Sequence, residues 1–199
     1  MSIRHWITVF LSLALAFCVV GAAASVSPRR LVIQKSDLST KFRLTSSKNL
    51  TNASVIKQGS ASAAQLARWG RAAGYQVMYS LNTSKATVAD LRGVLVVQST
   101  ASVYASSSGA HAAWLRSIAA LQKNLPGNQQ PVRARLGNES ASYSYTSKSN
   151  GYAYTDFVFS WRSSSFTEGL ICAGLRGKIT PSMALALVHK QLGRAGAAG

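Results

Sequence analysis

The chain is poor in the residue types on which most site chemistry depends: two cysteines, three histidines and five acidic residues in 199 positions. Of the cysteines, Cys18 lies inside an N-terminal leader and Cys172 far beyond it, so the part after the leader keeps one thiol and no intrachain disulfide. Its fold must therefore rest on an apolar core. Cys172 sits in the apolar run Leu170-Ile171-Cys172-Ala173, where a free cysteine behaves as a small buried hydrophobe rather than a nucleophile. No zinc site is expected, because neither His111 nor His189 has His, Cys, Asp or Glu three or four residues away. No G-x-S-x-G element and no P-loop occurs, so no cofactor is expected. Of the acids Asp37, Asp90, Glu139, Asp156 and Glu168, only Asp156 and Glu168 fall on segments that read as neighbouring strands. The plain expectation for them is carboxylates balancing nearby Lys or Arg, not a glycosidase pair. Serine is abundant, but abundance without a paired histidine and acid is only composition.

The shortage of acids sets 22 Lys and Arg against five Asp and Glu and gives a formal charge of +17. Such a field favours polyanions and anionic surfaces. The basic residues are scattered, with no block of five, and no nucleic-acid-binding module accompanies them, so specific nucleic-acid binding is not expected.

What is present begins with an address. Arg4 and His5 precede an apolar run from Trp6 to Val20, and small residues follow at Gly21-Ala22-Ala23-Ala24-Ser25. This is the order of a secretory signal, with cleavage expected after Ala24 and export to the cell envelope or beyond. The alternative is retention: Trp6 to Ala24 carries no charge and approaches the ~20 residues needed to span a bilayer, which would anchor the chain in a membrane. A lipoprotein signal at Cys18 is disfavoured by the bulky Phe17 before it.

Residues 25–59, rich in Ser, Thr, Asn and Lys, read as a linker or a weak-strand lead-in, and residues 60–199 as a single domain. A helix is expected from Ser60 or Ser62 to Gly74, then strands over Tyr75–Leu81 and about 93–104. A second helix, capped by Ser107 or Ser108, carries the apolar stripe Ala112, Leu115, Ile118, Ala119 and Leu121 and stops at Pro126-Gly127. Strands follow around 132–136, 140–147, 152–161 and 166–174, and Thr180-Pro181 opens a last helix ending at Gly193. Consecutive strands without intervening helices favour an antiparallel sheet. The expected class is α+β, with five to six strands and about three helices.

The hairpin at Asn150-Gly151 can be read residue by residue. A type I′ turn needs positive φ at both central positions, and this dipeptide supplies it. Ser149 then faces Tyr152, Ser147 faces Tyr154, Tyr145 faces Asp156 and Tyr143 faces Val158. Alternation puts Tyr143, Tyr145, Tyr152 and Tyr154 on one face and Phe157, Phe159 and Trp161 on the other, the core side. The four tyrosines, with Lys148 at the hairpin tip, are the candidate ligand-binding residues. Asn49, Asn52, Asn82 and Asn138 head Asn-x-Ser/Thr triplets, which matter only in a host that glycosylates.

The segments Trp69-Gly70-Arg71-Ala72-Ala73-Gly74-Tyr75 and Leu136-Gly137-Asn138-Glu139-Ser140, with the final strand and helix, resemble uncharacterised exported bacterial proteins. Their order of elements is similar to that of PsbP-like α+β domains of bacterial envelope lipoproteins. The resemblance implies a fold and an envelope setting and carries no catalytic residues. In local terms, Gly74 suits a helix end, Asn138 suits a turn, and Glu139 is expected to pair with Arg135 or Arg71. The function these features favour is a non-enzymatic exported domain that binds an envelope or extracellular ligand. Two alternatives stand beside it: a small secreted hydrolase built on an unrecognised Ser/His site at His111 or His189, and an electrostatic binder of polyanions or anionic membranes.

Overall fold

The computed structural model describes residues 26–197, so the leader reading falls outside the described residues. The class is α+β, as expected, with seven strands in one antiparallel sheet and five helices: more strands than the sequence suggested. The chain runs α1 (Pro28–Leu31), β1 (Phe42–Asn49), α2 (Asn52–Lys57), α3 (Ala63–Trp69), β2 (Arg71–Leu81) and β3 (Val96–Tyr104). It continues with α4 (Ser107–Asn124), β4 (Gln130–Pro131), β5 (Glu139–Ser149), β6 (Tyr152–Ser163), β7 (Phe166–Leu175) and α5 (Pro181–Gly196). In space the order is β1-β2-β3-β7-β6-β5-β4. Two meanders, β1–β3 and β4–β7, thus meet edge to edge along β3 and β7, with α4 as the connection between them.

The two faces of this sheet have different fates. On the first, Tyr75, Val77 and Tyr79 of β2, Val97 and Ala101 of β3, Leu170 and Cys172 of β7, and Phe157, Phe159 and Trp161 of β6 form the main core with α5. Phe159 and Trp161 are fully buried, and removing such side chains from water contributes roughly 1.5–3 kcal/mol each. The second face is covered at one end by a smaller cluster of Val55, Leu66, Trp69, Tyr104, Ala110 and Ala113, brought by α2, α3 and α4.

Residues 28–57 are built into the domain and are more than a lead-in. Leu31, Val32 and Ile33 are fully buried against the first face. The Ile33 N–H donates to Ser99 Oγ at 3.0 Å, and Ser99 in turn donates to Gln191 of α5 at 2.7 Å. Arg194 of α5 grips both carboxylate oxygens of Asp37 at 2.7 and 2.6 Å. Composition hides this because β1 is an edge strand with a largely exposed, polar set of side chains.

Two helix boundaries differ from the sequence reading for identifiable reasons. Helix α3 starts with the Ser62–Gln65 capping box but ends at Trp69, not at Gly74. Gly70 supplies the left-handed cap at φ 60° and ψ 39°, and β2 begins on the next residue. Helix α4 is capped by Ser106 and buries Gly109, Ala110, Ala113, Trp114 and Leu121, leaving Leu115 50 % exposed. In its first turns small residues face inward because the helix backbone runs against Trp69: a Cβ on Gly109 would stand 2.0 Å from the Trp69 carbonyl oxygen. Helix α5 opens on Thr180 and Pro181 as expected and runs past Gly193 to Gly196.

Candidate functional site

The β5–β6 hairpin adopts the register that Asn150-Gly151 dictates, with φ of 50° and 79° at the two turn residues. Ser149 opposes Tyr152, Ser147 opposes Tyr154, Tyr145 opposes Asp156 and Tyr143 opposes Val158. The four tyrosines therefore share the second face of the sheet. They do not act as one surface, however. Tyr143 lies under α4, where its hydroxyl accepts from Gln122 Nε2 at 2.8 Å, and Tyr152 at the hairpin end is 62 % exposed. Tyr145 and Tyr154 stand between them, on a part of the face that the smaller cluster under α2, α3 and α4 does not include.

That uncovered half of the face holds a pocket of about 110 Å³. Register explains which residues meet there. Val96 of β3 pairs with Ala173 of β7, Ala173 with Asp156 of β6, and Asp156 with Tyr145 of β5. One row away, Met78 of β2 pairs with Gln98, and Gln98 with Ile171. Met78, Val96, Ile171 and Ala173 make an apolar floor, Tyr145 and Tyr154 supply aromatic walls, and Ser147, Lys148 and Ser149 complete the rim. Of the five candidate residues, Tyr145, Tyr154 and Lys148 are brought together; Tyr143 and Tyr152 lie outside this pocket.

Two polar residues join Tyr145, Tyr154 and Lys148 in the pocket: Gln98, which the sequence does not single out, and Asp156, which the hairpin register sets opposite Tyr145. Gln98 is 3 % exposed, and neither its Oε1 nor its Nε2 has a hydrogen-bond partner. Asp156 accepts from Ser147 Oγ at 2.5 Å and forms no ion pair among the described residues. Burial raises the pKa of Asp156, and the Ser147 hydrogen bond pulls against that rise. Burial, helped by the neighbouring Asp156 charge, likewise holds the Tyr145 phenol above its ordinary value. The hairpin alone brings Asp156 to this face, whereas Gln98 reaches it only through the non-local pairing of β3 with β7.

The other sequence candidates are placed elsewhere. Asp156 and Glu168 lie on adjacent strands, but Glu168 pairs with Trp161 on the first face and Asp156 projects from the second, so the sheet separates them. Glu168 is sealed in the main core, accepting from Trp161 Nε1 at 2.8 Å. His111 meets Glu139 at 2.8 Å, and Glu139 also takes a hydrogen bond from Arg162; no serine bonds His111 among the described residues. Glu139 thus pairs with Arg162 and His111, not with Arg135 or Arg71. Arg71 is instead 2 % exposed and donates to the Leu50 carbonyl at 2.9 Å, Asn52 at 3.1 Å and Ser102 at 3.3 Å. His189 is exposed on α5, and burial pushes the Cys172 thiol well above its usual range. Among the described residues no three His, Cys, Asp or Glu side chains gather in a metal-binding group, and no helix is long and apolar enough to cross a membrane.

No protein-family model and no curated protein matches the chain, so the PsbP-like resemblance has no match beside it. Among solved structures, the chain is similar to the extracellular domain of PknH from Mycobacterium tuberculosis. The likeness has a TM-score of 0.56 at 11 % identity and covers 87 % of this chain and 98 % of that one. At this identity it speaks for the fold.

Proposed function

We propose that the chain is an exported, non-enzymatic binding domain and that its ligand sits in the uncovered half of the second sheet face. Export is supported by the leader pattern of residues 1–24 and fits a fold shared with an extracellular domain. The observation that carries the binding site is Gln98: a buried amide with two unpartnered atoms lines a pocket floored by aliphatic side chains and walled by Tyr145 and Tyr154. An orphaned buried amide costs about 1–3 kcal/mol per group, and a ligand that meets it recovers that loss.

The test is a fragment set of small aliphatic and aromatic molecules screened against the folded chain, with backbone amide shifts as the readout. Hits should move the resonances of Gln98, Tyr145 and Tyr154. They should be lost in the Tyr145→Ala/Tyr154→Ala double variant while its circular dichroism stays that of the parent. Hits that map onto other surfaces, or that persist in the double variant, would show the site to be misplaced.

A further inference from the structure

We propose that Asp156 anchors a protonated amine carried on an apolar stem, with the stem between Tyr145 and Tyr154 and a hydrogen-bonding group at its far end meeting Gln98. This deepens the reading of the pocket as the ligand site and rests on it.

The argument is one of charge accounting. Asp37 is held by Arg194, Asp90 by Lys41, and Glu139 by Arg162 and His111. Glu168 is enclosed in the main core. Asp156 alone is a pocket carboxyl without a cation, in a chain with 22 Lys and Arg from which a partner might have been drawn. Ser147 takes up one carboxylate oxygen, Oδ2, and no other hydrogen bond reaches Asp156 among the described residues. A carboxylate with one oxygen left over calls for an N–H donor with positive charge, because charge-assisted hydrogen bonds are the ones that offset desolvation. Two tyrosines beside it add the aromatic surface that organic cations prefer. The floor of Met78, Val96, Ile171 and Ala173 has no polar side chain and suits a hydrocarbon stem. An amine is favoured over a bare metal ion, since a single carboxylate among aliphatic and aromatic walls does not supply the oxygen cage that hard cations take.

The local charges set the pH response. Lys148 lies on the rim with an exposed side chain, Lys48 of β1 sits beyond Gln76 on the same face, and the Tyr145 phenol stays neutral through the ordinary range. Protonation of Asp156 competes with the amine, so affinity rises from acid to neutral pH. Ser147→Ala removes the hydrogen bond that favours the carboxylate and moves that rise to higher pH.

The experiment titrates n-butylammonium chloride into the full chain and into Asp156→Asn, with 1-butanol as the neutral molecule of equal length, at constant ionic strength and pH 7. Amide shifts at Gln98, Tyr145 and Tyr154 report binding. The expected result is an affinity for n-butylammonium about tenfold or more above that for 1-butanol, a ratio that collapses in Asp156→Asn. An acetyl-Gly-Lys-Gly-amide arm separates the sources: tighter binding than n-butylammonium marks a lysine side chain of a partner, and weaker binding marks a free small amine. Equal affinity for the amine and the alcohol, or an amine affinity unchanged in Asp156→Asn, overturns the amine and leaves the pocket standing. No shift at the pocket amides with any probe overturns both.

Discussion

Glu168 offers a sharp test of how this core is assembled, because it is a carboxyl where the sheet has no room for a charge. It is 4 % exposed and lies opposite Trp161, whose indole N–H donates to it at 2.8 Å. Burial pushes its pKa from 4.5 up to about 8, against the opposing pull of the Trp161 hydrogen bond. The sign follows from linkage. Below the unfolded value both states hold the proton and the group contributes no pH dependence. Above it the unfolded chain releases the proton while the native state keeps it, so stability falls with rising pH until the native group also ionises near 8. At about 1.4 kcal/mol per pH unit, the loss from this group is about 3 kcal/mol between pH 5 and pH 7.5. Glu168→Gln keeps an acceptor for Trp161 and removes the titration. Urea unfolding of both proteins at several values in this range should give equal stability near pH 5 and a variant that is the more stable by about 3 kcal/mol at pH 7.5. The comparison isolates the one group, since every other titration is common to both proteins. Parallel pH profiles for the two would refute the reasoning and place an ionised Glu168 in the native core.

Two further outcomes follow from contacts on the second face. A Cβ on Gly74 would stand 2.1 Å from Arg71 Nη2 and 2.9 Å from Ser102 Oγ, so Gly74→Ala displaces a buried guanidinium and should cost about 2–3 kcal/mol. Gly127→Ala, with nothing within 4 Å of its Cβ, is the control, and equal melting temperatures for the two variants would contradict the packing. Glu139→Gln weakens the links to Arg162 and His111 and should lower stability by about 1 kcal/mol at neutral pH. Desolvation raises the Glu139 pKa, but the hydrogen bonds from His111 and Arg162 outweigh it and leave the value lowered. Its contribution is therefore present above 4.5 and lost as pH falls through the depressed native value, so thermal melts of wild type and variant should converge in acid.

What the sequence revealed and what it hid divide along a physical line. The hairpin was legible to the residue, because Asn150-Gly151 fixes both turn dihedrals and a period of two then assigns every side chain to a face. The start of α5 was legible for the same local reason, Thr180 and Pro181 being sufficient to begin a helix. The face that α4 buries was legible only in part: Leu121 turns inward as its place in the stripe suggests, but hydrophobic weight also points to Leu115, while close approach to Trp69 selects Gly109, Ala110 and Ala113. The pocket was half visible: Tyr145, Tyr154 and Lys148 come from one hairpin, whereas Gln98, Val96 and Met78 join them only through the pairing of β3 with β7.

The same division explains why the two short motifs shared with exported bacterial proteins point to a fold and to no site. In Trp69-Gly70-Arg71-Ala72-Ala73-Gly74-Tyr75, Gly70 ends a helix, and Arg71 lays its buried guanidinium across the bare Cα of Gly74 to reach Leu50, Asn52 and Ser102. Burial lowers the Arg71 pKa to about 10, which still leaves it charged at neutral pH, and it faces carbonyl, amide and hydroxyl oxygens in place of a carboxylate. Tyr75, on the opposite face, carries the Arg29 guanidinium 4.8 Å from its ring. In Leu136-Gly137-Asn138-Glu139-Ser140, Leu136 enters the core, Asn138 Oδ1 accepts from the Ser164 N–H at 2.7 Å, and Ser140 Oγ ties Leu136 to Ala134. Each polar side chain in the two motifs that the fold engages is committed to joining elements, at the end of the sheet that α3 and α4 cover. Gln98 lies at the opposite end with neither amide atom partnered, and Asp156 beside it engages only Ser147 through its side chain. A search that weighs shared motifs therefore finds the scaffold, and the pocket is marked instead by where an unpartnered amide and a carboxyl without a cation line the same cavity.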